Sequence, residues 1–183
     1  MRYAQIREMD VSNGEGVGVS LFVQGCHFRC PGCFNQETWD FNGGKEWTDE
    51  VCEKFFQLID KPYIKRVSFL GGEPLADENV ADVASLIFAI KYGFPDKKIW
   101  IYTGYNFEDI FEFNPTGKIK DTSRAEWFRY DALLSADILV DGPFRIDLQD
   151  VNHKQIKFAG STNQRIIDLP KTIEQKKIIT IQN

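Results

Sequence analysis

The sequence predicts an α/β fold arranged as an incomplete, laterally open (β/α) barrel. Short apolar runs of strand length alternate with segments of helical periodicity, the order expected of βαβ units around a parallel sheet. The chain has 183 residues, short of the ~250 typical of a complete eight-unit barrel. Four of the strand candidates run directly into turns built from cysteine, glycine or proline. Parallel α/β folds gather their active sites at the carboxyl ends of the strands, so all four turns are expected on one end of the sheet.

Val19-Ser20-Leu21-Phe22-Val23 reads as a strand that ends at a cysteine loop. Before it, Asn13-Gly14-Glu15-Gly16-Val17-Gly18 is a glycine-rich turn, weak as a phosphate loop because no helix start follows. Thr48 reads as an N-cap, with Asp49 and Glu50 favouring the dipole of a helix that runs towards Asp60. Val67-Ser68-Phe69-Leu70 is the next strand, ended by Gly71-Gly72-Glu73-Pro74. Val80, Val83, Ala84, Ile87 and Ile90 or Lys91 trace a helix face stopped by Gly93 and Pro95. Ile99-Trp100-Ile101-Tyr102 is a strand ending at Thr103-Gly104-Tyr105. A short helix over 107–113 should end before Pro115. Residues 117–124 read as a surface loop, 126–134 as a helix, and 137–140 as a strand ending at Asp141-Gly142-Pro143. Weaker strands are expected at 156–158, 165–167 and 177–181.

No repeat, low-complexity tract or linker divides the chain, so a single domain over 1–183 is expected. Apolar content of 43% and charged content of 27% are those of a globular protein. A net charge of −5 gives no general attraction to nucleic acid or anionic lipid. No charged-then-apolar leader opens the sequence, and the run Leu86-Ile87-Phe88-Ala89-Ile90 is far too short to span a bilayer. A cytoplasmic protein is expected. There thiols stay reduced, and clustered cysteines mean metal or catalysis rather than disulfides.

Cys26, Cys30 and Cys33 lie in Gly25-Cys26-His27-Phe28-Arg29-Cys30-Pro31-Gly32-Cys33-Phe34-Asn35. Three close thiolates without a fourth suit a cubane iron–sulfur cluster with one iron free of protein, an open metal position where a substrate binds. Two other readings fit the spacing. Cys30-Pro31-Gly32-Cys33 is by itself a thioredoxin-like Cys-x-x-Cys, although such pairs need no third cysteine. A structural zinc site needs a fourth ligand, for which His27 and Cys52 are the candidates. His27 adjoins Cys26, and Cys52 falls on a helical apolar face with Val51, Phe55, Phe56 and Ile59, the setting of a core residue. Gly71 and Gly72 allow close backbone approach to a ligand, and Glu73 can accept hydrogen bonds from an ammonium group.

Cys26-x3-Cys30-x2-Cys33 followed by Gly71-Gly72-Glu73-Pro74 resembles the radical S-adenosylmethionine (radical SAM) superfamily. Within it the chain resembles the activating enzymes of anaerobic, class III ribonucleotide reductases. The resemblance is carried by Asn13-Gly14-Glu15-Gly16, Cys30-Pro31-Gly32-Cys33-Phe34-Asn35 with Thr38-Trp39, Trp100 through Tyr105, Leu139-Val140-Asp141-Gly142, and Gly160-Ser161-Thr162-Asn163-Gln164-Arg165. It covers the chain to about Asp168 and leaves the tail, 169–183, without a role.

The resemblance implies a [4Fe-4S] cluster on Cys26, Cys30 and Cys33 whose fourth iron is chelated by S-adenosylmethionine. It implies that the backbone of Gly32, Cys33 and Phe34 lies against that cofactor and that Gly71, Gly72 and Glu73 receive its ammonium end. The implied reaction is reductive cleavage to a 5′-deoxyadenosyl radical, which abstracts hydrogen from a glycine of the large reductase chain. A low-potential donor such as a flavodoxin supplies the electron. Tyr105, Phe107, Phe111, Phe113, Trp127, Phe128 and Tyr130 are either core or a docking surface for the reductase. One departure stands out: where many radical SAM enzymes place an adenine-packing aromatic before the third cysteine, this chain has Gly32. The alternatives are a radical SAM enzyme acting on a small molecule, a zinc-stabilised binding module, and a thiol–disulfide oxidoreductase.

Overall fold

A computed structural model describes residues 1–113, 123–150 and 156–181. Among these residues seven strands form one open sheet: β1 (Arg2–Asp10), β2 (Gly18–Val23), β3 (Lys45–Glu46), β4 (Arg66–Gly71), β5 (Lys98–Tyr102), β6 (Ile138–Asp141) and β7 (Arg165–Asp168). Their order in space is β3-β1-β2-β4-β5-β6-β7. The helices are α1 (Asp49–Ile59), α2 (Val80–Gly93), α3 (Phe107–Ile110), α4 (Arg124–Ser135) and α5 (Leu169–Gln175). The chain is thus a mixed α/β protein. The expected parallel sheet holds for the four central strands, β2, β4, β5 and β6; β1, β3 and β7 join it antiparallel.

Side-chain alternation splits the sheet into two faces. Val19, Leu21, Val67, Phe69, Ile99, Ile101, Leu139 and Ile167 share the main core with Phe55 and Ile59 of α1, Val83, Ile87 and Ile90 of α2, and Leu133 of α4. On the other face Trp100, Val140 and Ile166 pack under Ala159 in a smaller cluster. Ser20 and Ser68 lie on this second face, with the buried Arg66 donating to Ser68 Oγ at 2.6 Å and to the Asp10 carbonyl at 2.7 Å. That polar network, with Ser68 Oγ donating to the Asn13 carbonyl at 2.6 Å, holds the 10–14 turn against the second face of the sheet.

The helices begin where their caps dictate. Thr48 Oγ1 accepts from the Val51 N–H, and Ser123 forms a capping box with Glu126. Cys52 packs against the main core, the setting expected of it. Phe107 and Phe111 are buried, and Tyr105, Phe113, Phe128 and Tyr130 pack against the core. The aromatic-rich middle is therefore mostly interior, with Trp127 the exposed exception.

Several elements depart from expectation. The expected helix over 107–113 is one turn, because Phe111 is already extended. Residues 156–158 form a turn rather than a strand, with Phe158 at φ +60. The strand expected at 177–181 reduces to a bridge between Thr180 and Ile167. The tail contains α5 instead, capped by Asp168, whose side chain accepts from the Lys171 N–H, with Pro170 in the first turn. Most of the loop expected at 117–124 lies outside the described residues.

Candidate active site

The four turns predicted to converge do so through direct hydrogen bonds. The Gly72 N–H donates to the Val23 carbonyl at 2.9 Å and the Glu73 N–H to the Gly25 carbonyl at 2.7 Å, joining the exits of β2 and β4. The Gly104 N–H donates to Glu73 Oε2 at 2.8 Å, adding the exit of β5. The Gly142 N–H donates to the Tyr105 carbonyl at 2.9 Å, adding that of β6. Gly72 is required by this packing: a Cβ there would lie 2.4 Å from the Gly25 carbonyl oxygen, which is backbone and cannot move aside.

The cysteine loop leaves β2 and returns to it. The Gly25 and Cys26 N–H groups donate to the carbonyls of Thr38 and Trp39, and Gln24 Nε2 donates to those of Glu37 and Asp40. The excursion between these ties carries Cys26, Cys30 and Cys33, all three half-buried and free of disulfides. Burial pushes the Cys26 and Cys30 thiols up, with backbone N–H groups opposing the shift; metal coordination deprotonates such thiols outright. The Asn35 N–H donates to Cys33 Sγ at 3.4 Å. Among the described residues no three His, Cys, Asp or Glu side chains gather on a single-ion site. A cubane needs no such gathering, since its three thiolates bind three different irons. His27 turns to Glu78 at 3.0 Å, and Cys52 lies on α1 packed against the main core, so neither supplies the fourth ligand a zinc site needs. The donor set therefore fits a three-cysteine cluster.

A cleft of about 450 Å³ opens at this end of the sheet, within the usual range for small-molecule sites. Cys26, Cys30, Cys33, Phe34, Gly71, Gly72 and Glu73 line it together with Tyr102, Thr103 and Gly104, and Ser12 and Asn13 form part of its wall. Of the residues predicted for the site, only Gly32 is absent from the lining; a Cβ there would point at Ile146, 2.5 Å from its Cδ1.

A protein-family model described as a 4Fe-4S single cluster domain matches residues 12–167. The anaerobic ribonucleoside-triphosphate reductase-activating protein of Enterobacteria phage T4 is 33% identical over 166 residues, covering 91% of this chain and 93% of the phage protein. The proteins of that name from Salmonella typhimurium and Escherichia coli K12 are 35% and 34% identical, each alignment covering 90% of this chain and 96% of the relative. The chain belongs to this family of activating proteins.

Glu73 itself is buried, only 2% exposed. Oε1 accepts from the Leu75 N–H at 2.9 Å and from Thr103 Oγ1 at 2.8 Å, while Oε2 holds Gly104. Burial dominates nonetheless and pushes its carboxyl up to about 7. The carboxylate both lines the cleft and clamps the β4 and β5 exits together.

The match at residues 160–165 acquires a structural meaning. Gln164 Oε1 accepts from the Gly160 N–H at 2.8 Å and its Nε2 donates to the Gly142 carbonyl at 2.9 Å; Asn163 Nδ2 donates to the Pro143 carbonyl at 2.9 Å. Arg165 binds Asp141 and Glu108. This segment fastens the β6 turn to the cleft wall.

Sequence reasoning missed Arg129. From α4 its Nε donates to the Leu75 carbonyl at 2.7 Å, it pairs with Asp77, and its guanidinium lies 5.0 Å from the centre of the Tyr105 ring. Tyr105 meets Phe28 of the cysteine loop edge-on at 4.9 Å. Nothing local marks Arg129, because its partners are distant in sequence.

Proposed function

We propose that this chain activates an anaerobic ribonucleoside-triphosphate reductase, using a [4Fe-4S] cluster held by Cys26, Cys30 and Cys33 to cleave S-adenosylmethionine reductively. The observation that carries this is one cleft shared by three unpaired thiols, two glycines and Glu73 at the carboxyl ends of four parallel strands. When bound, cluster and S-adenosylmethionine supply a 5′-deoxyadenosyl radical that takes hydrogen from a glycine of the large reductase chain.

The chain's own residues place and tune those groups. Cys26, Cys30 and Cys33 would hold the cluster by three thiolates, with no fourth protein ligand competing with S-adenosylmethionine for it. Gly71 and Gly72 line the cleft as backbone packed on Phe22 and Gly25, Glu73 would offer a carboxylate to the cofactor's ammonium group, and the backbone of Cys33 and Phe34 would border it. Gly32 contributes the turn, at φ +73, rather than a cleft contact. Half-burial of the cysteines would limit water around a cluster bound there, one of the factors that sets its potential. The electron comes from an external low-potential protein such as a flavodoxin.

The open sheet is read as an incomplete, laterally open barrel of the radical SAM type, spanning 1–183 as one domain, with the reductase's glycine loop entering its open side. No helix among the described residues is long and apolar enough to cross a membrane, in keeping with a cytoplasmic enzyme. The test is iron and sulfide analysis of anaerobically purified protein, followed by EPR of the reduced protein with and without S-adenosylmethionine. Near four irons per chain and a spectrum altered by S-adenosylmethionine are expected. Stoichiometric zinc, or a cluster spectrum indifferent to S-adenosylmethionine, contradicts the proposal.

A further inference from the structure

We propose that Tyr105, held by the Arg129 guanidinium, is a positioning residue for the cysteine loop. It seats Phe28, and Phe28 in turn fixes the left-handed turn on which Cys26 and Cys30 are presented to one cluster. The assignment rests on the cluster reading above and adds the residues that keep the loop in its cluster-binding shape. Neither Tyr105 nor Arg129 lines the cleft, whereas Phe28 does, so their effect reaches the cluster through Phe28.

Only His27, Phe28 and Arg29 separate Cys26 from Cys30. Arg29 sits at φ +46, a left-handed conformation that a residue other than glycine keeps only where its surroundings impose it. Its own side chain is exposed, so the restraint comes from its neighbours. His27 turns to Glu78 and Phe41. Phe28 turns the other way. Its ring lies on Gly104, where a Cβ would come within 2.7 Å of Cδ2, and meets the Tyr105 ring edge-on at 4.9 Å and 83°.

Both walls of that seat are fixed from behind. Glu73 holds the Gly104 N–H at 2.8 Å. The Tyr105 N–H donates to Thr103 Oγ1 at 3.1 Å, and its carbonyl accepts from the Gly142 N–H. The Tyr105 ring carries the Arg129 guanidinium 5.0 Å from its centre, and the Leu75 carbonyl and Asp77 hold that guanidinium in place. With its side chain only 12% exposed, Arg129 meets the ring largely away from water, where a cation over an aromatic face is favoured most. Its planar fork lets carbonyl, carboxylate and ring be met together. The backbone N–H groups of Phe28 and Arg29 favour the Cys26 thiolate, and hydrogen bonds to the sulfurs help set a cluster's potential. Unseating Phe28 lets the turn relax and swings those N–H groups away, leaving the reduced cluster less compensated.

The test compares wild type, Tyr105→Leu, Tyr105→Phe and Arg129→Met, loaded with cluster anaerobically, by iron content and EPR-monitored redox titration. Tyr105→Leu should keep its iron and be harder to reduce. At the wild-type midpoint its ratio of reduced to oxidised cluster should fall about tenfold, a shift of about 59 mV. Arg129→Met should shift in the same direction, and Tyr105→Phe, which keeps the ring, should match wild type. A second arm measures amide hydrogen exchange in the cluster-free proteins, which decides the matter even for a variant that holds no iron. The Phe28 and Arg29 amides should exchange about tenfold faster in Tyr105→Leu, with the Gly25 and Cys26 amides, tied to Thr38 and Trp39, unchanged. An unshifted midpoint in iron-loaded Tyr105→Leu overturns the assignment, as does exchange at the wild-type rate or an equal shift in Tyr105→Phe. Wild type that holds no iron after reconstitution overturns the cluster reading instead, and the exchange arm still judges the brace.

Discussion

Glu73 Oε2 accepts a hydrogen bond from the Gly104 N–H at 2.8 Å, so a buried carboxylate after β4 is fastened to the turn after β5. The same side chain takes the Thr103 hydroxyl and the Leu75 N–H on its other oxygen. The proposed cofactor contact and the architecture thus meet in one residue. Glu73→Ala removes an acceptor from three donors, and each buried donor left unpaired costs about 1–3 kcal/mol before water or relaxation compensates. The variant is expected to keep its iron, bind S-adenosylmethionine more weakly in titration, and melt earlier. Unchanged affinity removes Glu73 from the cofactor site.

Protonation of Glu73 gives a pH signature. Its carboxyl titrates near 7 in the folded protein against an ordinary 4.5. Between those values the folded chain holds a proton that the unfolded chain has released. The stability contributed by this group is therefore complete below the ordinary value and lost as pH rises through the folded one. Denaturant unfolding of the cluster-free protein, compared with Glu73→Gln across that window, should show the wild type losing stability relative to the variant as pH rises. Parallel pH profiles contradict the burial-driven shift.

The cysteines divide by position. Cys30→Ala should lose the cluster, whereas Cys52→Ser, on α1 against the main core, should retain it and lose only packing stability, roughly 1–2 kcal/mol. Iron content per chain checks both. A Cys52→Ser protein stripped of metal shows that the ligand set is wrong.

Gly72→Ala pushes a methyl group to within 2.4 Å of the Gly25 carbonyl oxygen. Overpacking of this kind costs about 1–3 kcal/mol, and here it pries β4's exit from the start of the cysteine loop. A lower melting temperature with poor cluster retention is expected, read by thermal unfolding and iron analysis together.

Arg66 is fully buried and pairs with Asp10. Removing one partner of a buried pair costs about 3–5 kcal/mol because the other charge is stranded. Arg66→Ala is expected to be destabilised on that scale in denaturant unfolding, and a variant as stable as wild type contradicts the role given to the pair.

The sequence made much of this fold legible where signals are local. The apolar runs of β2, β4, β5 and β6, the Thr48 cap and the Gly93 stop each carry their own signature, and the elements follow them. β1 was hidden because register shifts after Tyr3 and after Arg7 break the alternation that marks a strand. β3 is two residues long and takes its conformation from pairing with β1. Helix α5 did leave a signal, Asp168 followed by Pro170, but a short apolar run after it reads equally as strand. In the site, residue types and spacing marked the cysteines and the Gly71-Gly72-Glu73 turn. Spacing could not show that Glu73 clamps two turns, that Gly32 faces away from the cleft, or that Arg129 braces Tyr105, since each depends on contacts made only after the sheet forms.

The most direct measurement is EPR of the anaerobically reduced, cluster-loaded protein mixed with S-adenosylmethionine and the large chain of an anaerobic ribonucleotide reductase. The expected result is a glycyl-radical doublet on the reductase that requires both additions and is lost with Cys30→Ala. Consumption of S-adenosylmethionine with no doublet, or a doublet that survives in Cys30→Ala, would contradict it.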